Sequence, residues 1–243
     1  RMRRTTYIRL VTVSAFAALS QGLSAIAQDG PARISWAPSY SGSCTECGLA
    51  GKNMAGWNLS RANYPGANLS AANLRSTLAH DANFDGVNAS GADMRLGDFT
   101  GASFADANLS GARLQKAKLN GAKMPAATLT GAHLNGATFI GSTLNDAKLQ
   151  AVTAPAADFS GAVLIGTNFQ AATLTGAVFD NAIMTNADFS VADLSGASFR
   201  DVRLSGVNMA GATGIETVAF DGACMTSGTI LPQGISLENC FSQ

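Results

Sequence analysis

Cys44 and Cys47, separated by Thr45 and Glu46, have the spacing used by redox dithiols and by one half of a zinc site. Acidic side chains gather at Asp81, Asp85, Asp93, Asp98 and Asp106, the kind of group from which a glycosidase draws its two carboxylates. Basic ones follow at Arg113, Lys116, Lys118 and Lys123, and the two histidines are His80 and His133. Each chemistry makes further demands. A redox dithiol wants a βαβ setting, and zinc wants two more ligands close by. A general base wants a nucleophile within reach, and His80, although next to Asp81, has none grouped with it. Whether these demands are met depends on the elements that carry the residues.

Those elements follow a period of five. Every fifth residue from Leu49 to Met209 is uncharged and mostly Leu, Phe or Met, without a slip. Two residues before nearly all of them stands a small side chain, usually Ala, and two residues after Gly is commonest. Five residues turn an α-helix by about 500°, which would scatter the apolar side chains around its axis. On a flat strand an odd period would alternate faces. The pattern becomes consistent if each unit is one short extended side followed by a corner. Ala and Leu, two apart, then point inward, and Gly supplies the positive φ of a type II turn. Where Arg61, Asp81, Lys116 or Asp146 replaces Gly, a different turn type is expected. Pro125 and Pro155 are expected at corners that lack a needed donor, and Ala79, Ala89 and Ala154 at looser coils.

Four sides make a coil of twenty residues. Reading the central position at that interval gives Leu59, Ala79, Phe99, Leu119, Phe139, Phe159, Phe179 and Phe199, a column rich in phenylalanine. Rings stacked from coil to coil would account for it. The column Asn68, Asn88, Asn108, Thr128, Lys148, Asn168, Asp188, Asn208 is mostly amide or carboxylate. On this spacing Asp93 falls beside Arg113 and Asp98 beside Lys118, a solvated face that neutralises itself rather than a catalytic pair. His133 is expected as an exposed rung of the column Asp93, Arg113, His133, Thr153.

Runs such as Ala67-Asn68-Leu69-Ser70, Gly91-Ala92-Asp93-Met94 and Gly196-Ala197-Ser198-Phe199 resemble the A-(D/N)-L-x-x signature of the pentapeptide repeat proteins. The resemblance implies an all-β fold, a right-handed quadrilateral parallel β-helix of about eight coils and near 40 Å long. Topoisomerase protection by DNA mimicry occurs in this family. It requires a strongly acidic cytoplasmic rod, which this chain does not resemble.

The chain is 47% hydrophobic and 13% charged, with a formal net charge of zero, which fits one folded domain and neither a disordered chain nor a nucleic-acid binder. Arg1, Arg3, Arg4 and Arg9 precede an apolar run from Leu10 to Leu19 and a small-x-small site at Ala25-Ile26-Ala27, the pattern of a cleaved secretion signal. That run is too short for stable membrane insertion. The expected organisation is a signal at 1–27, an N-terminal cap at 28–47 carrying Trp36 and Tyr40, repeats at 48–212 and a C-terminal cap at 213–243. Export favours two disulfides among Cys44, Cys47, Cys224 and Cys240, without fixing their connectivity. Cys44 with Cys47, and Cys224 with Cys240, would each close a local ring. No catalytic, cofactor-binding or metal-binding residue is assigned. The function expected is a periplasmic or secreted scaffold binding an unidentified protein or envelope component along a flat face. The alternatives are the DNA mimic and, behind it, a polysaccharide-acting β-helix enzyme. Oligomeric state is not indicated.

Overall fold

The computed structural model describes residues 42–240; the expected signal at 1–27, residues 28–41 of the expected cap with Trp36 and Tyr40, and residues 241–243 lie outside the described residues. From Ser43↔Asn63 to Asp193↔Thr213 each side pairs in parallel with the side twenty residues later. The chain therefore winds as a square coil.

The unit Ala107-Asn108-Leu109-Ser110-Gly111 shows why five residues suffice. Ala107 and Leu109 are fully buried, while Asn108 between them faces out. The Asn108 N–H donates to Val87 O of the preceding coil, and the Leu109 N–H donates to Thr128 O of the next. Gly111 N–H donates to Thr130 O, and Ala112 N–H closes the corner onto Leu109 O. Four of the five backbone donors are thus met by backbone, leaving only the first corner residue, Ser110. Its N–H is taken by Asn108 Oδ1 at 3.0 Å. This is the physical reason for Asn or Asp beside the core residue: its oxygen accepts the one donor that the ladder leaves over. The same bond recurs at Asn68, Asn88, Asn168, Asp188 and Asn208.

The corners correct two expectations. Every fifth residue from Glu46 to Gly211 has positive φ, whether or not it is glycine. Arg61 (61°), Asp81 (54°), Lys116 (57°) and Asp146 (57°) adopt the same left-handed turn as their glycine counterparts rather than another type. The ladder on both sides dictates the turn, and the side chain bears the local cost of about 1–2 kcal/mol. Pro125 and Pro155 occupy the first corner position, whose N–H the ladder does not use, so no needed donor is lost. Their carbonyls still accept from Asp106 and Gly136.

The core is one continuous column of small and large side chains. Phe99, Leu119, Phe139, Phe159, Phe179 and Phe199 are all fully buried, as are Ala79, Ala89 and Ala154. Rings of Phe139, Phe159, Phe179 and Phe199 stack with centroids 4.8, 5.1 and 4.8 Å apart and planes within 15°, so each ring repeats the strand spacing. Phe169 and Phe189 stack likewise and meet that column edge-on. Thr77, Ser142 and Thr167 stand where Ala is usual, and each hydroxyl donates to a backbone carbonyl, so burial leaves no unmet donor.

Regularity begins and ends unequally. Residues 43–47 already pair with the second coil, through Cys44 N–H to Asn63 O and Glu46 N–H to Pro65 O. Past Thr213 a 3₁₀ turn at Ile215–Thr217 adds one residue, so Ser198 pairs with Ala219. Strand β1 (Arg203–Leu204) then pairs with β2 (Cys224–Met225), and Asn208 with Ile230. Strand β3 (Glu238–Asn239) lies on β2 after only fourteen residues, closing the last coil short. Gly214 is required where the turn begins: at φ 70°, a Cβ there would lie 2.6 Å from the Ser195 backbone.

Candidate functional site

The disulfides sit at the two ends of the described rod. Cys44 takes a core position and Cys47 the next small position, across the corner Thr45-Glu46, with Cα atoms 5.6 Å apart. A turn brings its first and fourth residues this close, so a Cys-x-x-Cys bridge can span a corner. Both cysteines pack on the apolar core. Cys224 and Cys240 join the last two strands, with Cα atoms 5.0 Å apart. Closing a loop of that length stabilises by about 3 kcal/mol. Among the described residues no cysteine is free, and no three His, Cys, Asp or Glu side chains gather as a metal site. A recess of about 250 Å³ opens beside the second disulfide, lined by Gly222, Ala223, Cys224, Glu238, Asn239 and Cys240. Its one carboxylate is that of Glu238.

Apart from Lys52, which takes a small-residue position in the first coil, the charged residues of the repeats fall on the outer rungs and corners. Asp93 pairs in register with Arg113, yet its carboxylate is held by Arg95, whose Nε donates to Oδ1 at 2.7 Å and whose Nη2 contacts Oδ2. The expected Asp93–Arg113 pair is therefore replaced by one within the same coil, because the first corner residue lies over the rung two before it. The Arg95 hydrogen bond, against some burial, holds the Asp93 carboxyl below its ordinary value. Asp98 does meet Lys118, at 3.5 Å, and also accepts from His80 Nε2 at 3.1 Å and Thr100 Oγ1 at 2.6 Å. Burial acts to raise the Asp98 carboxyl, but the Thr100 and His80 hydrogen bonds outweigh it and bring the pKa to about 2.

The sequence reading missed the His80–Asp98 contact, since the two residues lie eighteen apart rather than twenty. The same offset lets Asp85 accept from Ser103 Oγ and Asp180 from Ser198 Oγ, so a signal was present. These carboxylates serve as acceptors for corners and hydroxyls. Asp81, Asp85, Asp93, Asp98 and Asp106 are spread over several sides along little more than one coil. His133 is an exposed rung between Arg113 and Thr153.

A parallel ladder of four short sides per coil, with paired small and large residues inside, defines a quadrilateral β-solenoid. The family model described as pentapeptide repeats matches in eight copies, over residues 53–88, 66–101, 82–121, 117–153, 156–190 and 192–227. The chain belongs to the pentapeptide repeat family, and its fold is the right-handed quadrilateral parallel β-helix of that family.

Among solved structures, the chain is similar to QnrB1, a plasmid-mediated fluoroquinolone resistance protein, at 18% identity, covering 78% of this chain and 93% of that one with a TM-score of 0.46. It is also similar to HetL, a pentapeptide repeat protein involved in heterocyst differentiation regulation from Nostoc sp. strain PCC 7120. There the identity is 27%, the coverage 80% and 92%, and the TM-score 0.31. A pentapeptide repeat protein from the Arabidopsis thaliana thylakoid lumen matches at 27% identity over 46% of this chain and 68% of that one, with a TM-score of 0.31. No curated protein matches the chain in sequence. The two disulfides fit a non-reducing compartment, and among the described residues no helix is long and apolar enough to cross a membrane.

Proposed function

We propose that this chain is an exported, non-catalytic scaffold that holds a partner of the cell envelope against a flat side of its rod. The observation that carries the reading is the uninterrupted twenty-residue register from Ser43 to Thr213. It stacks outward-facing residues into straight rows about 4.8 Å apart along each side. Such rows suit an extended partner, because one contact repeats with the coil. Catalysis asks instead for concavity around convergent groups. The arginine-rich N-terminus with its small-x-small site, and cysteines bridged at both ends, support export.

Cell fractionation combined with capture on the purified protein tests the reading. Recovery from the envelope or medium with the N-terminal segment removed, together with specific retention of an envelope component, is the expected result. Recovery from the cytoplasm at full length would overturn it.

A further inference from the structure

Residues 107–145, nearly two coils, contain Arg113, Lys116, Lys118, Lys123 and His133 and no carboxylate. Overall neutrality conceals this band. Of the acids below it, Asp93 is held by Arg95 and Asp98 by His80 and Thr100. Arg113, Lys116 and Lys123 are left without an ion pair, and Lys118 keeps only its 3.5 Å contact with Asp98. Arg113, Lys116 and Lys118 are exposed and follow one another around a single corner.

A second feature coincides with the charge. In most coils the outward Asn or Asp accepts the N–H of the first corner residue, as at Asn68, Asn88 and Asn108. In the band that place is taken by Arg113 and Lys118, which have no acceptor to offer. The backbone N–H groups of Gln115 and Asn120 accordingly have no acceptor within the protein. An unaccepted first-corner N–H also occurs outside the band, at Gln150 after Lys148 and at Ile165 and Thr185 after apolar rungs; what the band adds is two such donors on successive corners, each with a cation two residues before it. The three buried side-chain oxygens without a partner, on Gln115, Thr138 and Asn145, also lie in this band.

We propose that the two successive corners at Gln115-Lys116 and Asn120, with the rungs Arg113 and Lys118 before them, bind a carboxylated polysaccharide, with successive carboxylates taking the places of the missing Asn or Asp oxygens. The proposal rests on the scaffold reading and gives it a partner chemistry. A carboxylate oxygen is isosteric with the side-chain oxygen it replaces and adds the charge that Arg113 and Lys118 complement. On the next coil the same sides present His133 and the half-buried Asn135 and Thr138, with Ile140 as the exposed large apolar residue. Protein interfaces centre on aromatic and apolar side chains, and single-stranded nucleic acids want aromatic platforms. A hydroxylated, charged polymer matches this composition better than either.

Binding of the full chain to alginate, a polyuronate, tests this against neutral dextran, DNA and anionic phospholipid vesicles by fluorescence anisotropy or co-sedimentation. Alginate is expected to bind and dextran not, with affinity falling as salt rises. The double variant Arg113→Glu, Lys116→Glu should lose roughly tenfold in affinity while Arg75→Glu, an exposed cation whose own corner N–H is already accepted by Asn73, changes it less than about twofold, all three proteins keeping the same melting temperature. Equal loss in Arg75→Glu would mark diffuse attraction and overturn the site. So would binding to DNA or vesicles tighter than to alginate, or no alginate binding at all. If alginate fails while the chain still fractionates with the envelope and retains a component there, the polysaccharide site falls and the scaffold reading stands.

Discussion

Two stretches of the rod solve the same packing problem differently. In the coils around Phe139 to Phe199 the large core position is phenylalanine in two neighbouring columns, and the rings stack within a column and meet edge-on between columns. In the coils around Ala79 to Leu119 the same two columns shrink, one to Ala79 and the other to Ala89, and rings from different coils compensate. Phe84 stacks on Phe104 at 5.0 Å, and both meet Phe99 edge-on. Phe99 also leans over Gly97, which replaces the usual Ala; a Cβ at that glycine would lie 2.4 Å from the ring. The backbone frame is the same in both stretches. The frame therefore fixes where side chains point, and the packing between coils decides how each space is filled.

The largest effect should come from breaking the stacked column. Phe179 touches Phe159, Phe169, Phe189 and Phe199, and Phe179→Ala is expected to cost about 3–5 kcal/mol in denaturant unfolding. Leu119→Ala, in the same column beneath the stack, should cost less, near the lower end of the about 2–5 kcal/mol typical of such truncations. Equal losses would mean that ring stacking adds nothing beyond volume. Next in size is Gly97→Ala, which restores the family's usual residue but drives Phe99 from its place. A loss of about 1–3 kcal/mol is expected. An unchanged melting temperature would show that the compensation in the lower stretch is not tight.

The period of five made the fold legible, because a core residue, a small residue and a corner at constant spacing admit one winding. Coil length was legible from the phenylalanine column. Turn type at Lys116 or Asp146 was not, since side-chain propensity spoke against positive φ and the ladder overrode it. The pairing of Asp93 was misread for a related reason. Register places Arg113 beside it, but Arg95 lies closer, over the adjoining corner. Irregular closure after Thr213 left no periodic trace, because one inserted residue at the 3₁₀ turn ends the pattern without ending the ladder.

At the corners the two stretches should behave alike. Ala71 and Ala156 are exposed and held at φ 53° in each case. Ala71→Gly and Ala156→Gly each relieve left-handed strain and each add chain entropy to the unfolded state. A net gain of about 0.5–1 kcal/mol is expected at both, read as a rise in melting temperature. A gain at only one would show that corner strain depends on the packing beneath it.

The smallest effect concerns charge in the lower stretch. Asp98 has a folded pKa of about 2 against an ordinary 3.8, held down by Thr100 and His80 against the opposing effect of burial. A depressed carboxyl contributes stability that is present above its unfolded pKa and disappears as pH falls toward the folded one. The contribution should therefore be intact near pH 5 and fade between about pH 4 and 2. Its partners His80 and Lys118 are exposed, so the contribution is screened and should amount to less than about 1 kcal/mol. Unfolding of Asp98→Asn followed across that range should show a shallower acid dependence than the parent, with the difference closing at the acid end. Parallel curves would mean that the His80 and Thr100 contacts are formed equally well with a neutral side chain, and that the lower stretch owes its stability to its rings alone.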